Sequence, residues 1–340
     1  MPRSRMLFLL CLALVLHTGV KAAADTTGTF VNPLLSSGPD PWVIRYKGVY
    51  YYMATTGHNI TIRKTHAMSA LPDALPVVVW TPPAKGPDAR DIWAPELHRL
   101  QGRWYLYYTA GSSDKVHPQH TFVLENTADD PTTGTWVSKG QVRDTTADYF
   151  AIDGTILEHK GQTYFIWSGH NGKDNTQRLY IARMKNPWTL ATARTEIAAP
   201  QYDWEKNNIN EGPEIIKNTR GGVFLVFSAS GCWTDDYVLG MMRLKKNADP
   251  LLASSWIKAP QPVLIAAPGS GAFAPGHNGF FKSADNREDW IIYHANSSVG
   301  QGCGPQRNPR MQPFSWKADG SPDFGIPVKI NTPVPKPSGE

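Results

Sequence analysis

A short segment occurs five times along this chain of 340 residues and constrains the fold more than any other feature. Each copy begins with a charged or small residue, continues through an apolar stretch and a turn, and ends in an aromatic-rich strand. The copies begin at Asp40, Ala94, Asp153, Glu211 and His277, which lie 54 to 66 residues apart. Strand repeats of this length are typical of propeller blades. The sequence therefore predicts an all-β protein, a five-bladed β-propeller with antiparallel strands around a central channel.

Turn signals separate the first two strands of each copy. Lys47-Gly48, Gln101-Gly102 and Lys160-Gly161 precede alternating aromatic residues, which is a hairpin pattern. A third strand is predicted in every copy, at residues 60–63, 121–124, 179–182, 238–241 and 311–314. Because helical periodicity is absent, we expect three regular strands and one less regular outer strand in each blade.

The N-terminal residues 1–24 have the pattern of a secretory signal peptide. Arg3 and Arg5 precede a short apolar run at residues 6–16 and a small-residue site at residues 22–24. The run is too short to span a bilayer. We expect a soluble exported protein, periplasmic or extracellular, with no membrane partner. Without residues 1–24 the formal charge falls from +5 to +2, which gives no reason to expect nucleic-acid binding.

Residues 25–340 are predicted to form one catalytic propeller domain, because no linker divides them. A Pro-rich tail from about residue 332 is expected to be disordered. Two cysteines follow the signal segment, Cys232 and Cys303, each in a loop after an aromatic strand. Neighbouring blades could bring them into a disulfide, although two unpaired thiols fit the sequence equally. We assume a monomer.

The first residues of the five repeats are expected to converge at one mouth of the channel. Asp40, Asp153 and Glu211 would then bring carboxyl groups together, which acid/base hydrolysis of a glycosidic bond requires. Singly, an Asp-Pro or Asp-Gly pair is usually a turn. A structural role would favour the same residue type in every copy, whereas unlike polar residues at equivalent positions favour specialised functions.

The same positions carry a resemblance to a known family. The segments are Gly38-Pro39-Asp40-Pro41-Trp42, Trp93-Ala94-Pro95-Glu96-Leu97, Ile152-Asp153-Gly154-Thr155, Asn210-Glu211-Gly212-Pro213 and Gly276-His277-Asn278. In this order and spacing the chain resembles glycoside hydrolase family 43, five-bladed propeller enzymes that act on arabinans and xylans. Residues 228–234 and 309–314 further resemble its exo-acting α-1,5-L-arabinofuranosidases. The resemblance covers the chain after the signal segment.

The resemblance implies a role for each acid. Asp40 would be the general base and Glu211 the general acid of an inverting hydrolase, while Asp153 would tune and orient Glu211. A second carboxylate close to Glu211 would raise its pKa and keep it protonated. The histidine of this family helps to hold a hydrated calcium or sodium ion, which His277 would do here; a purely structural His277 is the alternative. No organic cofactor is implied.

Other residues are weaker candidates for substrate contacts. Trp93 and Trp233 offer flat faces to a sugar, whereas tryptophans inside strands are expected to be core. Arg310 could hold the acid or a furanose hydroxyl, or could be a surface charge beside Arg307. Glu214 should point away from the channel, because its strand parity is opposite to that of Glu211.

The expected activity is exo-acting release of L-arabinose from α-1,5-linked arabinan or arabino-oligosaccharides, the substrate partner. Endo-arabinanase and β-xylosidase activities are alternatives within the family. A sugar-binding propeller without turnover is the alternative from another class, but it would not need three acids.

Overall fold

The computed structural model describes residues 1, 28–115 and 118–340, so the predicted signal segment lies, apart from Met1, outside the described residues. Five antiparallel sheets follow one another along the described chain, and each takes its strands from consecutive sequence. The predicted five-bladed propeller is confirmed. No helix among the described residues is long and apolar enough to cross a membrane.

The first two blades each contain four strands. They are β2 (Trp42–Tyr46), β3 (Val49–Met53), β4 (Ile60–Thr65) and β5 (Pro76–Trp80) in blade 1, and β6 (Arg90–Leu100), β7 (Arg103–Gly111), β8 (His120–Asn126) and β9 (Val137–Gln141) in blade 2.

Blade 3 has a fifth strand because two segments pair with its third strand. Its strands are β10 (Ala151–His159), β11 (Gln162–Gly169), β12 (Arg178–Asn186), β13 (Thr189–Leu190) and β14 (Thr195–Ala198).

The last two blades have four strands again. They are β15 (Asn210–Lys217), β16 (Val223–Ala229), β17 (Val238–Leu244) and β18 (Trp256–Lys258) in blade 4, and β19 (Phe273–Lys282), β20 (Asp289–Asn296), β21 (Asn308–Trp316) and β22 (Pro322–Asp323) in blade 5. Short 3-10 helices lie in the connections, at Met68–Asp73, Lys206–Asn208, Ala253–Ser255 and Pro268–Ser270.

The hydrophobic core lies between the blades. In β3, Tyr50 and Tyr52 pack toward blade 5, whereas Tyr51 and Met53 pack toward blade 2. This division follows from the period of two in a strand, which sends successive side chains to opposite faces. The same arrangement fills the other three inter-blade spaces. The aromatic strands thus serve as core, as predicted for the tryptophans within them, such as Trp104 and Trp290.

The C-terminal tail differs from the expectation of disorder. Residues Pro333–Pro335 form β23, which pairs with β1 (Thr29–Val31). Val334 is buried in the core between blades 5 and 1, and the Glu340 carboxylate accepts hydrogen bonds from the amides of Met68 and Ser69. Proline composition suggested disorder, but proline is tolerated in an edge strand, and the burial of one valine fixes the segment.

Candidate active site

Each blade has a residue in the left-handed backbone region within the first residues of its innermost strand or, in blade 1, just before it. These residues are Asp40, Ala94, Asp153, Gly212 and His277, with φ between 42° and 55°. The repeat pattern of the sequence predicts Glu211 in this set, but the structure places Gly212 there. Glu211 therefore occupies the preceding position, which Trp93 holds in blade 2. Glu211 stands one residue before the position that Asp153 occupies in its own blade. The two side chains therefore make different contacts.

A side chain from the neighbouring blade holds the backbone amide of each of these residues. Hydroxyl groups accept from Ala94, Asp153 and His277, and the imidazole of His294 accepts from Asp40; the acceptors are Thr55, Thr109, Ser228 and His294, at 2.7–3.1 Å. Blade 4 is different, because the amide of Gly212 donates to Oδ2 of Asp153 at 3.0 Å. Asp153 is thereby fixed one residue away from Glu211.

These acceptors were not predicted, although the sequence carries a signal for them. Each follows the apolar residues of the second strand of its repeat, as in Tyr107-Tyr108-Thr109 and Val226-Phe227-Ser228. A polar residue recurring at one position of otherwise buried strands needs a buried partner. The partner is the amide at the mouth of the channel.

One cavity of about 810 Å³ opens above the channel, and the predicted acids all line it. Asp40, Asp153 and Glu211 come together there with His277, although they are remote in sequence. Asp40, Asp153 and His277 are buried, while Glu211 is half-buried at the cavity wall. The spatial premise of the sequence analysis, a shared site for these side chains, therefore holds.

Cationic groups surround Asp40. Arg307 Nη1 donates to Asp40 Oδ1 at 2.8 Å, His277 Nδ1 lies 3.2 Å from the same oxygen, and Thr55 donates to Oδ2 at 2.6 Å. Burial alone would raise the pKa of Asp40, but Arg307, His277 and His294 hold this pKa well below its usual value. Asp40 is therefore ionised throughout the neutral and mildly acidic range.

Glu211 is in the opposite electrostatic situation. Burial, and next the charge of Asp153, raise its pKa to about 8. Burial also raises the pKa of Asp153 to about 6, against the effect of His277. The hydroxyl of Tyr237 lies 2.8 Å from Glu211 Oε1 and fixes that carboxyl group. At neutral pH the cavity thus contains two ionised carboxylates, Asp40 and Asp153, and one protonated carboxyl group, Glu211.

His277 lies between the acids. Its imidazole contacts Asp40, and a Cβ at Gly212 would lie 3.2 Å from the ring. Burial lowers the pKa of His277, but Asp40, Asp153 and Glu211 outweigh this effect and raise it to about 9. The imidazole therefore compensates part of the negative charge of the site.

Two tryptophans and a disulfide form the rim of the cavity. Trp93 is half-buried, and Trp233 is 59% exposed. Cys232 and Cys303 form a disulfide at the cavity wall, so the loops after β16 and β20 are covalently joined. Gly300 N also donates to the Asp235 carboxylate at 3.0 Å across the same two loops. The wall that carries Trp233 is thus held to the loop that carries Arg307.

Known proteins are similar to this chain in sequence and in fold. The family described as glycosyl hydrolases family 43 matches residues 30–322. The chain belongs to glycoside hydrolase family 43. An enzyme of Streptomyces avermitilis named extracellular exo-α-(1→5)-L-arabinofuranosidase is 39% identical over 92% of this chain and 67% of its own length. The Streptomyces chartreusis enzyme of the same name is 38% identical, over 83% of this chain and 87% of its own.

Among solved structures, an α-L-arabinofuranosidase from Lactobacillus brevis superimposes on this family 43 chain with a TM-score of 0.83. It is 32% identical and covers 89% of this chain and 98% of its own. Relatives named as endo-1,5-α-L-arabinosidases match less of the chain. The Aspergillus aculeatus protein is 26% identical over 64% of this chain and 67% of its own length.

Arg310 is not at the site of this family 43 chain. Its side chain is 0% exposed and donates to Asn308 Oδ1, to the carbonyls of Gly271 and Asn296, and to Ser297 Oγ. These acceptors lie just before β19, at and just after the end of β20, and at the start of β21, so Arg310 ties these segments together. The prediction of a substrate contact is wrong, whereas Arg307, three residues earlier and outside β21, does line the cavity.

Glu214 also differs from the prediction. A β-bulge between Glu211 and Glu214 interrupts the pairing of β15 with β16, and the alternation of side chains no longer holds across it. Glu214 is buried and donates a hydrogen bond to Glu96, which lies 2.7 Å from His98 Nε2. Burial, and then Glu96, raise the pKa of Glu214 well above its usual value. Two carboxyl groups therefore share a proton in the interior.

The side chains around His277 show whether the predicted ion has groups that could hold it. Among the described residues no group of three His, Cys, Asp or Glu side chains could hold a metal directly. Asn278, next to His277 in β19, is fully buried with no partner for either amide atom. An orphaned buried amide of this kind fits a site completed by water. Asp40 occupies Nδ1 of His277, so Nε2 would be the ligand atom, and only in the neutral imidazole that a bound cation would favour over the protonated form.

Proposed function

We propose that this protein is an inverting exo-acting α-L-arabinofuranosidase that releases L-arabinose from α-1,5-linked arabinan or arabino-oligosaccharides. The observation that carries the proposal is the pair of opposite carboxyl states in one cavity, an ionised Asp40 and a protonated Glu211. Inverting glycosidases require this pair. The names of the Streptomyces relatives support the substrate and the exo mode.

The chemistry assigns one proton transfer to each acid. A water molecule attacks the anomeric carbon while Asp40 takes its proton, and Glu211 gives its proton to the glycosidic oxygen as that bond breaks. The product is one arabinose of inverted configuration and a shortened chain. Asp153 acts as a positioning residue, because its charge keeps Glu211 protonated and its Oδ2 binds the amide of Gly212.

The exo mode and the direction of inversion are testable together. Linear α-1,5-arabinan should yield arabinose from the earliest time point, and NMR of the first product should show the β-anomer. A ladder of oligomers at early times would indicate an endo-arabinanase instead. Release of xylose but not arabinose from the two p-nitrophenyl pentosides would favour a β-xylosidase, and binding without turnover would favour a sugar-binding propeller.

The channel ion is a separate proposal. We infer that His277, and Asn278 through water, hold one hydrated calcium or sodium ion that supports the site electrostatically and supplies no nucleophile. The buried amide of Asn278 supports this inference. Dialysis against chelator should lower the Tm and calcium should restore it. Elemental analysis with less than one calcium or sodium per chain would contradict the proposal.

Export belongs to the same proposal. Two relatives are named extracellular, which supports secretion, consistent with the signal pattern of residues 1–24. A polymeric substrate such as arabinan lies outside the cell.

A further inference from the structure

A second cleft adjoins the catalytic cavity at blade 3. It has a volume of about 420 Å³, within the range of small-ligand sites, roughly 300–1,000 Å³. Phe150 lines both this cleft and the catalytic cavity. The two spaces therefore meet at one aromatic side chain, immediately before β10 and three residues before Asp153.

Aromatic rings form one part of the wall of this cleft, and charged and polar side chains form another, namely Asp148, Lys173, Asp174 and Asn175. The rings of Phe150 and His170 are stacked, with centroids 4.7 Å apart and planes 26° apart. Burial keeps the pKa of His170 below its usual value, so the imidazole is neutral at neutral pH and the pair presents an uncharged face. Such faces suit the C–H groups of a sugar ring.

Hydrogen bonds and close packing hold the residues of the cleft in place. His170 N donates to the Phe150 carbonyl at 3.0 Å, and Arg194 donates to the His170 carbonyl while its guanidinium lies 5.1 Å from the Tyr149 ring. A Cβ at Gly172, where φ is +77°, would lie 2.2 Å from the Tyr149 ring. Only glycine therefore lets this loop lie against Tyr149, which is itself 40% exposed.

We propose that the cleft of Tyr149, Phe150 and His170 is a subsite for the arabinose units on the leaving-group side of the bond that is broken. This inference rests on the proposed function. An exo enzyme that releases single arabinose units binds one sugar before the scissile bond, so any further sugar it binds lies beyond that bond. Asn175 at the cleft edge offers an amide for a furanose hydroxyl.

The subsite predicts a dependence on chain length. For the wild-type protein, kcat/KM should rise from arabinobiose to arabinotetraose by at least about fivefold, which corresponds to about 1 kcal/mol. His170→Ala and Tyr149→Ala should reduce this ratio to near one. His159→Ala is the matched control, because His159 lies at the opposite end of β10 and should leave the ratio as in the wild type.

The outcomes separate the two proposals. No arabinose from any oligomer would overturn the proposed function and the subsite with it. Arabinose released at a rate independent of chain length, or an undiminished ratio in both His170→Ala and Tyr149→Ala, would overturn the subsite alone. Because Tyr149 is 40% exposed, its variant remains a folded test if His170→Ala fails to fold.

Discussion

Asp153 Oδ2 accepts a hydrogen bond from the amide of Gly212 at 3.0 Å, which holds a carboxylate beside the residue that follows Glu211. The same interaction replaces the hydroxyl acceptor that other blades use at this position. The Asp153 side chain thus binds the backbone amide of Gly212 in blade 4 and also supplies the charge that keeps Glu211 protonated.

Asp153→Asn should shift the alkaline limb of the kcat profile to lower pH. In the wild type, activity is lost as pH rises through the pKa of Glu211, about 8. Without the Asp153 charge the ionised form of Glu211 is less unfavourable, so its pKa falls. The check is a pH–rate profile on arabinobiose, with the exposed Asp73→Asn as control. An unchanged limb would show that Asp153 does not set the pKa of Glu211.

Tyr237→Phe should move the same limb in the opposite direction. The hydrogen bond from the Tyr237 hydroxyl favours the ionised form of Glu211 and lowers its pKa, so losing it raises that pKa. The expected result is a modestly lower kcat with activity extended to higher pH. A limb that moves downward would contradict the donor role of Tyr237.

Glu211→Gln should reduce hydrolysis of arabinobiose by about 10²- to 10⁴-fold, the usual contribution of a general acid. The loss should be smaller for p-nitrophenyl α-L-arabinofuranoside, because its leaving group needs less protonation. Binding should be largely kept, as tryptophan fluorescence titration with arabinotriose would show. Equal losses on both substrates would argue against Glu211 as the acid.

Arg307→Gln and Arg310→Gln should have different consequences although they lie three residues apart. Loss of Arg307 raises the pKa of Asp40, so the acid limb of the kcat/KM profile moves to higher pH. Loss of Arg310 leaves buried acceptors unpaired and should cost about 3 kcal/mol of unfolding free energy or more. Urea unfolding and pH–rate profiles of both variants separate these effects, and identical profiles would contradict the assignment.

Removing the disulfide with Cys232→Ser and Cys303→Ser together should lower stability by about 4 kcal/mol, since the bond closes a loop between residues 71 apart. The joined loops also carry Trp233 and Arg307, so KM should rise. A thiol assay on the unfolded wild-type protein before and after reduction controls for bond formation. An unchanged KM would show that the rim keeps its form without the bond.

The sequence predicts the fold well because each blade is local. Its signals, a glycine turn and an alternating aromatic strand, depend on residues close together in the chain, and β3 illustrates both. The convergence of Asp40, Asp153 and Glu211 was also predictable, since it follows from repeat geometry. The contacts of these three acids were less predictable. In blade 4 the left-handed residue is Gly212 and not Glu211, and only the backbone φ angle reveals this.

Two of the errors share one physical cause, which is local irregularity of the backbone. A β-bulge reversed the direction of Glu214, and the loop before β21 brought Arg307 rather than Arg310 to the cavity. Periodic patterns carry no information about either event. The ordered tail was missed for another reason, because its fixing contacts are with residues near the other end of the chain.

The ribbon of β1 and β23 bears on how the protein is made. Each of the five blades forms from consecutive sequence, so the blades can assemble in order as translation proceeds. The pairing of β1 with β23 and the burial of Val334 between blades 1 and 5 can form only after residues 333–335 have left the ribosome. Until then the core between blades 1 and 5 lacks Val334, and a protein that ends before residue 333 would leave that part of the core uncovered.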